Sequence, residues 1–200
     1  MQDEVVSEKA RLRDMMKVRR DGLADADGGL AKATAAFGGV VMDLAPPRRG
    51  EASPPVISSY LPIGSELDPR PLMRELTVQG AIGALPVIEA KAQPLIFRGY
   101  REGDALEEKL WGIREPLATA PIYLPDILVM PLLAFDAEGW RLGFGGGFYD
   151  RTLAKLRHEK AVVAVGLAYD EQRVNAVPHD DYDERLDFVL TPSGLKKFQR

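Results

Sequence analysis

Residues 127–151 read ILVMPLLAFDAEGWRLGFGGGFYDR, and the fold follows from the alternation within them. The first seven residues are continuously apolar, the pattern of a central strand covered on both faces. A turn follows at 136–139 and an extended segment at 140–144. Glycines at 143, 145, 146 and 147 then lead into a helix predicted over 148–157. Between a strand and a helix, glycines let the backbone approach a ligand, and successive amides at a helix N-terminus attract an anion. A tight structural turn accounts for the same run. It is not a dinucleotide fingerprint, because the third glycine of G-x-G-x-x-G falls on Phe148, and no Gly-Lys-Ser/Thr of a P-loop follows. Arg141 adds a cation beside the loop. Asp150 stands in the first helical turn, where a carboxylate can hold a hard cation such as Mg²⁺ or simply complement the helix dipole.

The same alternation extends in both directions. Downstream, AVVAVGLA at 161–168 is a second buried strand and 186–190 a last one. Upstream, 56–60 is a short β-rich run. Asp68-Pro69 opens a helix whose buried stripe is Leu72, Met73 and Leu76, with Gly80 as its stop. Strands are predicted at 85–88 and 95–98. Residues 99–126 show weak periodicity, with Pro116, Pro121, Pro125 and a conspicuous Trp111. So long an irregular stretch inside a domain is usually a functional loop or lid. At the N-terminal side, 3–23 reads as an amphipathic helix. Leu12, Met15, Met16 and Leu23 recur at helical spacing, and Lys9, Arg13, Lys17 and Arg20 share another face, whose plain reading is a solvated one. A weaker helix at 24–39 and a Pro-rich connector at 45–55 complete the chain. Together these elements predict one domain over 1–200: a Rossmann-like three-layer α/β/α sandwich with a mostly parallel central sheet.

Composition narrows the chemistry. Twenty-six basic against thirty acidic residues give a net charge of −4, which argues against nonspecific nucleic-acid binding as the main task. With no cysteine and only His158 and His179, thiolate nucleophiles, disulfides and Cys/His zinc sites are excluded. Catalysis must rest on carboxylates, cations, hydroxyls and backbone amides. The N-terminal segment is charged from its start, and no apolar run approaches the roughly 20 residues of a membrane span. A cytoplasmic protein without a membrane partner is the expectation.

RLGFGGGFYDR at 141–151 resembles the signature of the 5-formyltetrahydrofolate cyclo-ligases, also called methenyltetrahydrofolate synthetases. Further segments match in order. Lys9 and Arg13 form the family's K-x-x-x-R pair. YLPIGSELDPRPLM at 60–73 resembles its substrate segment, with the glutamate at Glu66. Trp111 stands where the family has a tryptophan before the central strand. PDILVMPLLAFD at 125–136, VGLAYDEQ at 165–172, Pro178 and DERLDFVLT at 183–191 follow. The likeness runs from about residue 8 to 191.

The resemblance implies an α/β sandwich fold and a set of roles. ATP would be bound by Lys9, Arg13, Arg141, Leu142, Gly143, Phe144, Gly145, Gly146, Gly147, Phe148 and Tyr149. Leu61 and Glu66 would contact the folate, with Phe148 stacking near it in a place often held by tyrosine. Asp150 and Asp183 would bind Mg²⁺, and Arg141 and Asp150 would act in catalysis. The implied reaction transfers the γ-phosphoryl group of ATP to the formyl oxygen, after which nitrogen 10 attacks and phosphate leaves. The partners would be the two small-molecule substrates, acting on a monomer. The residues themselves leave alternatives open. Glu66 also fits a solvated carboxylate, and Trp111 fits either a core residue or a wall against pterin or adenine. Asp183 lies with Asp180, Asp181 and Asp187 in an acidic patch that a solvated loop explains equally well. His179 reads as a surface residue. Two other functions compete: an ATP-dependent enzyme of the same scaffold acting on another heterocycle, and a non-catalytic nucleotide-binding protein.

Overall fold

The computed structural model describes residues 2–23, 28–47, 53–109 and 112–199. Helices α1 (Gln2–Asp21), α2 (Gly29–Ala35) and α3 (Gly38–Met42) come first. The single weak helix expected over 24–39 is thus two short ones, and residues 24–27 lie outside the described part. At the start of α3 the backbone lies close against α4, where a Cβ on Gly38 would meet Glu75 Cγ at 2.5 Å. Of the expected connector, 48–52 lie outside the described residues. Then come β1 (Val56–Ser58), α4 (Arg70–Val78), β2 (Ile82–Val87) and β3 (Ile96–Gly99).

The stretch 99–126, expected to be irregular, carries three strands: β4 (Leu106–Glu108), β5 (Arg114–Pro116) and β6 (Ile122–Tyr123). At two or three residues each they are too short for a period-2 pattern to register. β4 and β5 pair as a separate hairpin, while β6 pairs antiparallel with β3. Next are β7 (Ile127–Pro131), the small pair β8 (Ala134–Phe135) and β9 (Arg141–Leu142), α5 (Phe148–Glu159), β10 (Val163–Leu167), β11 (Phe188–Thr191) and β12 (Gly194–Lys197).

Among the described residues the main sheet has eight strands in the order β12-β11-β10-β7-β1-β2-β3-β6. The five neighbouring strands β11, β10, β7, β1 and β2 run parallel; β12 and β3 flank them antiparallel, and β6 pairs antiparallel with β3 and so regains the common direction. The mostly parallel α/β architecture read from the sequence is therefore present. Alternation along β7 divides the core between two faces. Leu128 and Met130 pack with Leu153 and Leu156 of α5, whereas Ile127 and Val129 pack with Leu72 and Leu76 of α4 and with Ala31 and Val41. Burying both faces is why β7 reads as an unbroken apolar run. Helix α1 seats on a third cluster, where Met16 meets Leu133, Ala134, Leu142 and Val177.

Candidate active site

Strand order determines where a ligand can sit. From β1 the chain moves through α4 to β2 on one side, and it later returns to place β7 and β10 on the other. The carboxyl ends of β1 and β7 therefore flank a topological switch point, where open α/β sheets leave a crevice. A cavity of about 800 Å³ opens there. Its walls come from α1, the segment after β1, the glycine loop, the start of α5 and the loop at 180–183.

One wall is dense with charge. On α1 the buried positions are Lys9, Met16 and Arg20, with Leu12 and Arg13 half-buried beside them. This corrects the expected division into an apolar face and a separate cationic one: Met15 and Lys17 are exposed, and cations share the inward face with Leu12 and Met16. The solvated reading of Lys9 and Arg20 falls with it, because carboxylates meet them inside. Lys9 Nζ donates to Asp180 Oδ2 at 2.9 Å and to Asp183 Oδ2 at 2.5 Å. Burial alone would push its ammonium pKa down; the bonds and charges of Asp183 and Asp180 outweigh burial, and the net displacement is upward. Arg13 Nε donates to the carbonyl of Gly143 at 2.9 Å and lies against Gly145. At Gly145 φ is +100°, so the backbone favours glycine there, and a Cβ would also crowd the Arg13 guanidinium at 3.3 Å.

Arg141 is buried, and its Nη2 donates to Asp150 Oδ1 at 2.8 Å. The same oxygen accepts the N–H of Glu184 at 3.2 Å, which ties α5 to the loop that carries Asp183. Arg141 lines the cavity, and its Nε is buried without a hydrogen-bond partner among the described residues. Gly147, at φ +63°, starts α5, and Arg151 braces the turn by donating to Gly146 O at 2.6 Å beneath the Phe148 ring. Leu142, Phe144, Gly146, Phe148 and Tyr149 complete this side.

The opposite wall follows β1. Tyr60, Leu61, Ile63 and Glu66 line it, and Glu66 is buried. Its Oε2 accepts the N–H of Ile63 at 2.9 Å, and Arg20 Nη1 stands 3.7 Å from Oε1. Burial pushes the Glu66 carboxyl pKa upward, and the Ile63 bond and the Arg20 charge offset this only in part. The solvated alternative for Glu66 is thereby removed. Burial and the nearby Glu66 likewise push the Tyr149 phenol well up, so it stays protonated.

All the sequence-predicted residues within the described part line this one cavity: Lys9, Arg13, Leu61, Glu66, residues 141–150 and Asp183. Trp111 lies outside the described residues. Three further residues were not foreseen as site residues. Arg20 stacks over Phe144 at 5.2 Å, Glu115 lines the cavity while accepting the N–H of Ile88, and Gln172 pins the end of β7 by donating to Leu132 O and Leu133 O. Asp187 leaves the acidic patch to pair with Arg157 and the N–H of Ala164. His179 is exposed, as expected, but stacks on Trp140 at 3.8 Å between centroids.

The donor set also bears on metal binding. Among the described residues no group of three or more His, Cys, Asp or Glu could cage an ion. Asp150 and Asp183 each use one carboxylate oxygen and leave the other without a bond among the described residues. Two half-used carboxylates fit a cation that is completed by phosphate oxygens and water.

Residues 5–192 match the 5-formyltetrahydrofolate cyclo-ligase family. The 5-formyltetrahydrofolate cyclo-ligase of Escherichia coli K12 is 39% identical over 152 residues, covering 71% of this chain and 83% of that protein. The Haemophilus influenzae protein of the same name is 37% identical over 139 residues, 67% of this chain and 74% of that one. Among solved structures, the Aquifex aeolicus 5,10-methenyltetrahydrofolate synthetase superposes with a TM-score of 0.69 at 26% identity, covering 96% of this chain and 93% of that one. The Mycoplasma pneumoniae 5,10-methenyltetrahydrofolate synthetase gives 0.67 at 21% identity over 92% and 99%, a likeness of fold.

Proposed function

The chain belongs to the 5-formyltetrahydrofolate cyclo-ligase family, and from that membership we propose that it couples ATP cleavage to ring closure of 5-formyltetrahydrofolate, yielding 5,10-methenyltetrahydrofolate, ADP and phosphate. The formyl oxygen on nitrogen 5 is an amide oxygen and a poor leaving group. Transfer of the γ-phosphoryl group to it creates a phosphate ester. Nitrogen 10 then attacks the formyl carbon and loses its proton, the C–O bond breaks, and phosphate carries the oxygen away. Phosphoryl transfer asks for alignment and positive charge around the equatorial oxygens more than for covalent help.

The charged wall can supply both. Lys9, Arg13 and Arg141 converge on the glycine loop, whose amides at 143–147 precede the N-terminus of α5. Arg141, buried in the cavity wall and held by Asp150, would present its guanidinium to an incoming phosphate oxygen. Asp150 and Asp183 would hold Mg²⁺, which when bound neutralises charge on the phosphates. Both carboxylates already face a phosphate-binding cation, so ligand binding exchanges their partners and leaves none of these charges bare. On the other wall Glu66, buried and acceptor-only when ionised, suits two adjacent N–H donors of a pterin edge, with Leu61 and Phe148 against its ring. Phe148 lacks a hydroxyl and offers its face alone.

One observation carries this reading: the cations, the glycine loop and a buried carboxylate line the same cavity at the switch point. The test is to mix purified protein with 5-formyltetrahydrofolate, Mg²⁺ and ATP, following the near-ultraviolet band of the methenyl product together with ADP. Folded protein producing neither signal defeats the proposal; ATP binding without turnover would make the chain a nucleotide-binding protein instead.

A further inference from the structure

A second cavity, of about 300 Å³, adjoins the first. Tyr60, Leu61 and Leu85 line both, so the two spaces adjoin across these residues near the carboxyl end of β1. The smaller one runs between α4 and β2, with Met73 and Leu85 in its wall. Its charged lining residues are Arg70, Arg74, Arg101 and Glu102. Asp68 pairs with Arg70 from outside the groove. Three guanidiniums against two carboxylates leave the groove one unit positive.

The arginines keep donors in reserve. Arg70 commits Nε and Nη2 to Asp68, and Arg74 commits Nε and Nη2 to Glu102, at 2.6–2.9 Å. Nη1 of each carries no bond among the described residues, and the Arg101 guanidinium has no ion pair there. These exposed pairs contribute little to stability, but they hold the forks in place. In the lining of the smaller cavity, Ser59 is 1% exposed and its hydroxyl oxygen has no partner among the described residues. The nucleotide has cations of its own in Lys9, Arg13 and Arg141. This second cationic cluster therefore serves something else.

We infer that the groove between α4 and β2 receives the aminobenzoyl-glutamate end of the folate. This rests on the folate reading above. With the pterin at Glu66 in the main cavity, the rest of the substrate is an aromatic ring followed by an amino acid bearing two carboxylates. That sequence, apolar and then anionic, matches the groove, apolar at Leu85 and Met73 and then cationic at Arg70, Arg74 and Arg101. Additional glutamyl residues would extend along the same arginines.

The test compares three substrates: 5-formyltetrahydrofolate, its triglutamate, and 5-formyltetrahydropteroate, which lacks the glutamate. Arg74→Ala/Arg101→Ala should raise KM for both glutamylated substrates about tenfold, as for loss of a charge-assisted bond, with kcat unchanged. KM for the truncated substrate should not move. An unchanged KM for the glutamylated pair overturns the inference while leaving the enzyme's assignment standing. So does an equal rise for all three substrates, which would report a disturbed α4. If the unmutated protein turns over none of them, the folate reading itself fails. Arg74→Lys/Arg101→Lys, keeping charge without the fork, should restore part of the lost affinity.

Discussion

Lys9 and Glu66 are both buried charges in one cavity, and both have their pKa pushed upward, with opposite consequences. For Lys9 the upward direction means a firmer positive charge, because Asp180 and Asp183 compensate it more than burial opposes it. For Glu66 it means a pull toward neutrality, because burial outweighs the Ile63 bond and the more distant Arg20. The wall proposed for the polyanion is thus kept compensated in advance, and a ligand there would need only to replace one partner with another. The wall proposed for the neutral heterocycle keeps its acceptor dry and under-compensated. A hydrogen bond made there gains strength from the low local dielectric.

The contrast can be broken by mutation, and the largest effect belongs to the charged wall. Arg141→Ala should lower kcat/KM by roughly 10²–10³, the usual cost of a preorganised donor at a developing charge. Far-ultraviolet circular dichroism should be unaltered. A loss below tenfold would mean that this wall does not stabilise the transferred group. Next comes Glu66→Gln, which should raise KM for 5-formyltetrahydrofolate about tenfold and leave KM for ATP alone. An unmoved folate KM would point to a different heterocycle.

Smaller effects sharpen the contrast through pH. A Glu66 pKa raised on folding gives stability that is complete below the unfolded value of about 4.3 and declines as pH rises through the folded value. Glu66→Gln should therefore melt a few degrees above the unmutated protein at pH 7, and that gap should close toward pH 4. Scanning calorimetry at the two pH values decides it. Asp180 behaves oppositely. The Lys9 bond, then the Tyr182 N–H, hold its pKa down, so its contribution is present above about 3.9 and lost on acidification. Asp180→Asn should flatten the acid limb and cost about 1 kcal/mol or less in urea melts at pH 7, since the pair is partly solvated and Asp183 still holds Lys9.

What the residues disclosed in advance depended on how local the physics was. The glycine loop was legible because Gly145 and Gly147 meet a backbone demand written within a few residues. β7 and β10 were legible because burial on both faces leaves a continuous apolar run. Helix α1 was visible, but its inward face was not. Periodicity counts apolar residues, whereas here Lys9 and Arg20 are buried among them, and Met15, counted as apolar, is 53% exposed. The ion pairs that explain the burial of Lys9 join residues 171 and 174 positions apart, beyond any local pattern. β12, GLKK, is a polar edge strand of the sort that discourages further pairing, and it offers no hydrophobic alternation to read. The strand order, which places the cavity, resides entirely in such distant pairings.

That separation between Lys9 and its partners has a consequence for biogenesis. During translation α1 emerges well before the loop at 180–183 that neutralises its lysine, and before β8 and β9, on which Met16 rests. The helix can coil early yet cannot dock until nearly all of the following chain has left the ribosome, and closing so long a loop is slow. A helix made early is thus seated late, and a nascent chain halted before residue 180 would lack both the clasp and the proposed nucleotide site that it completes.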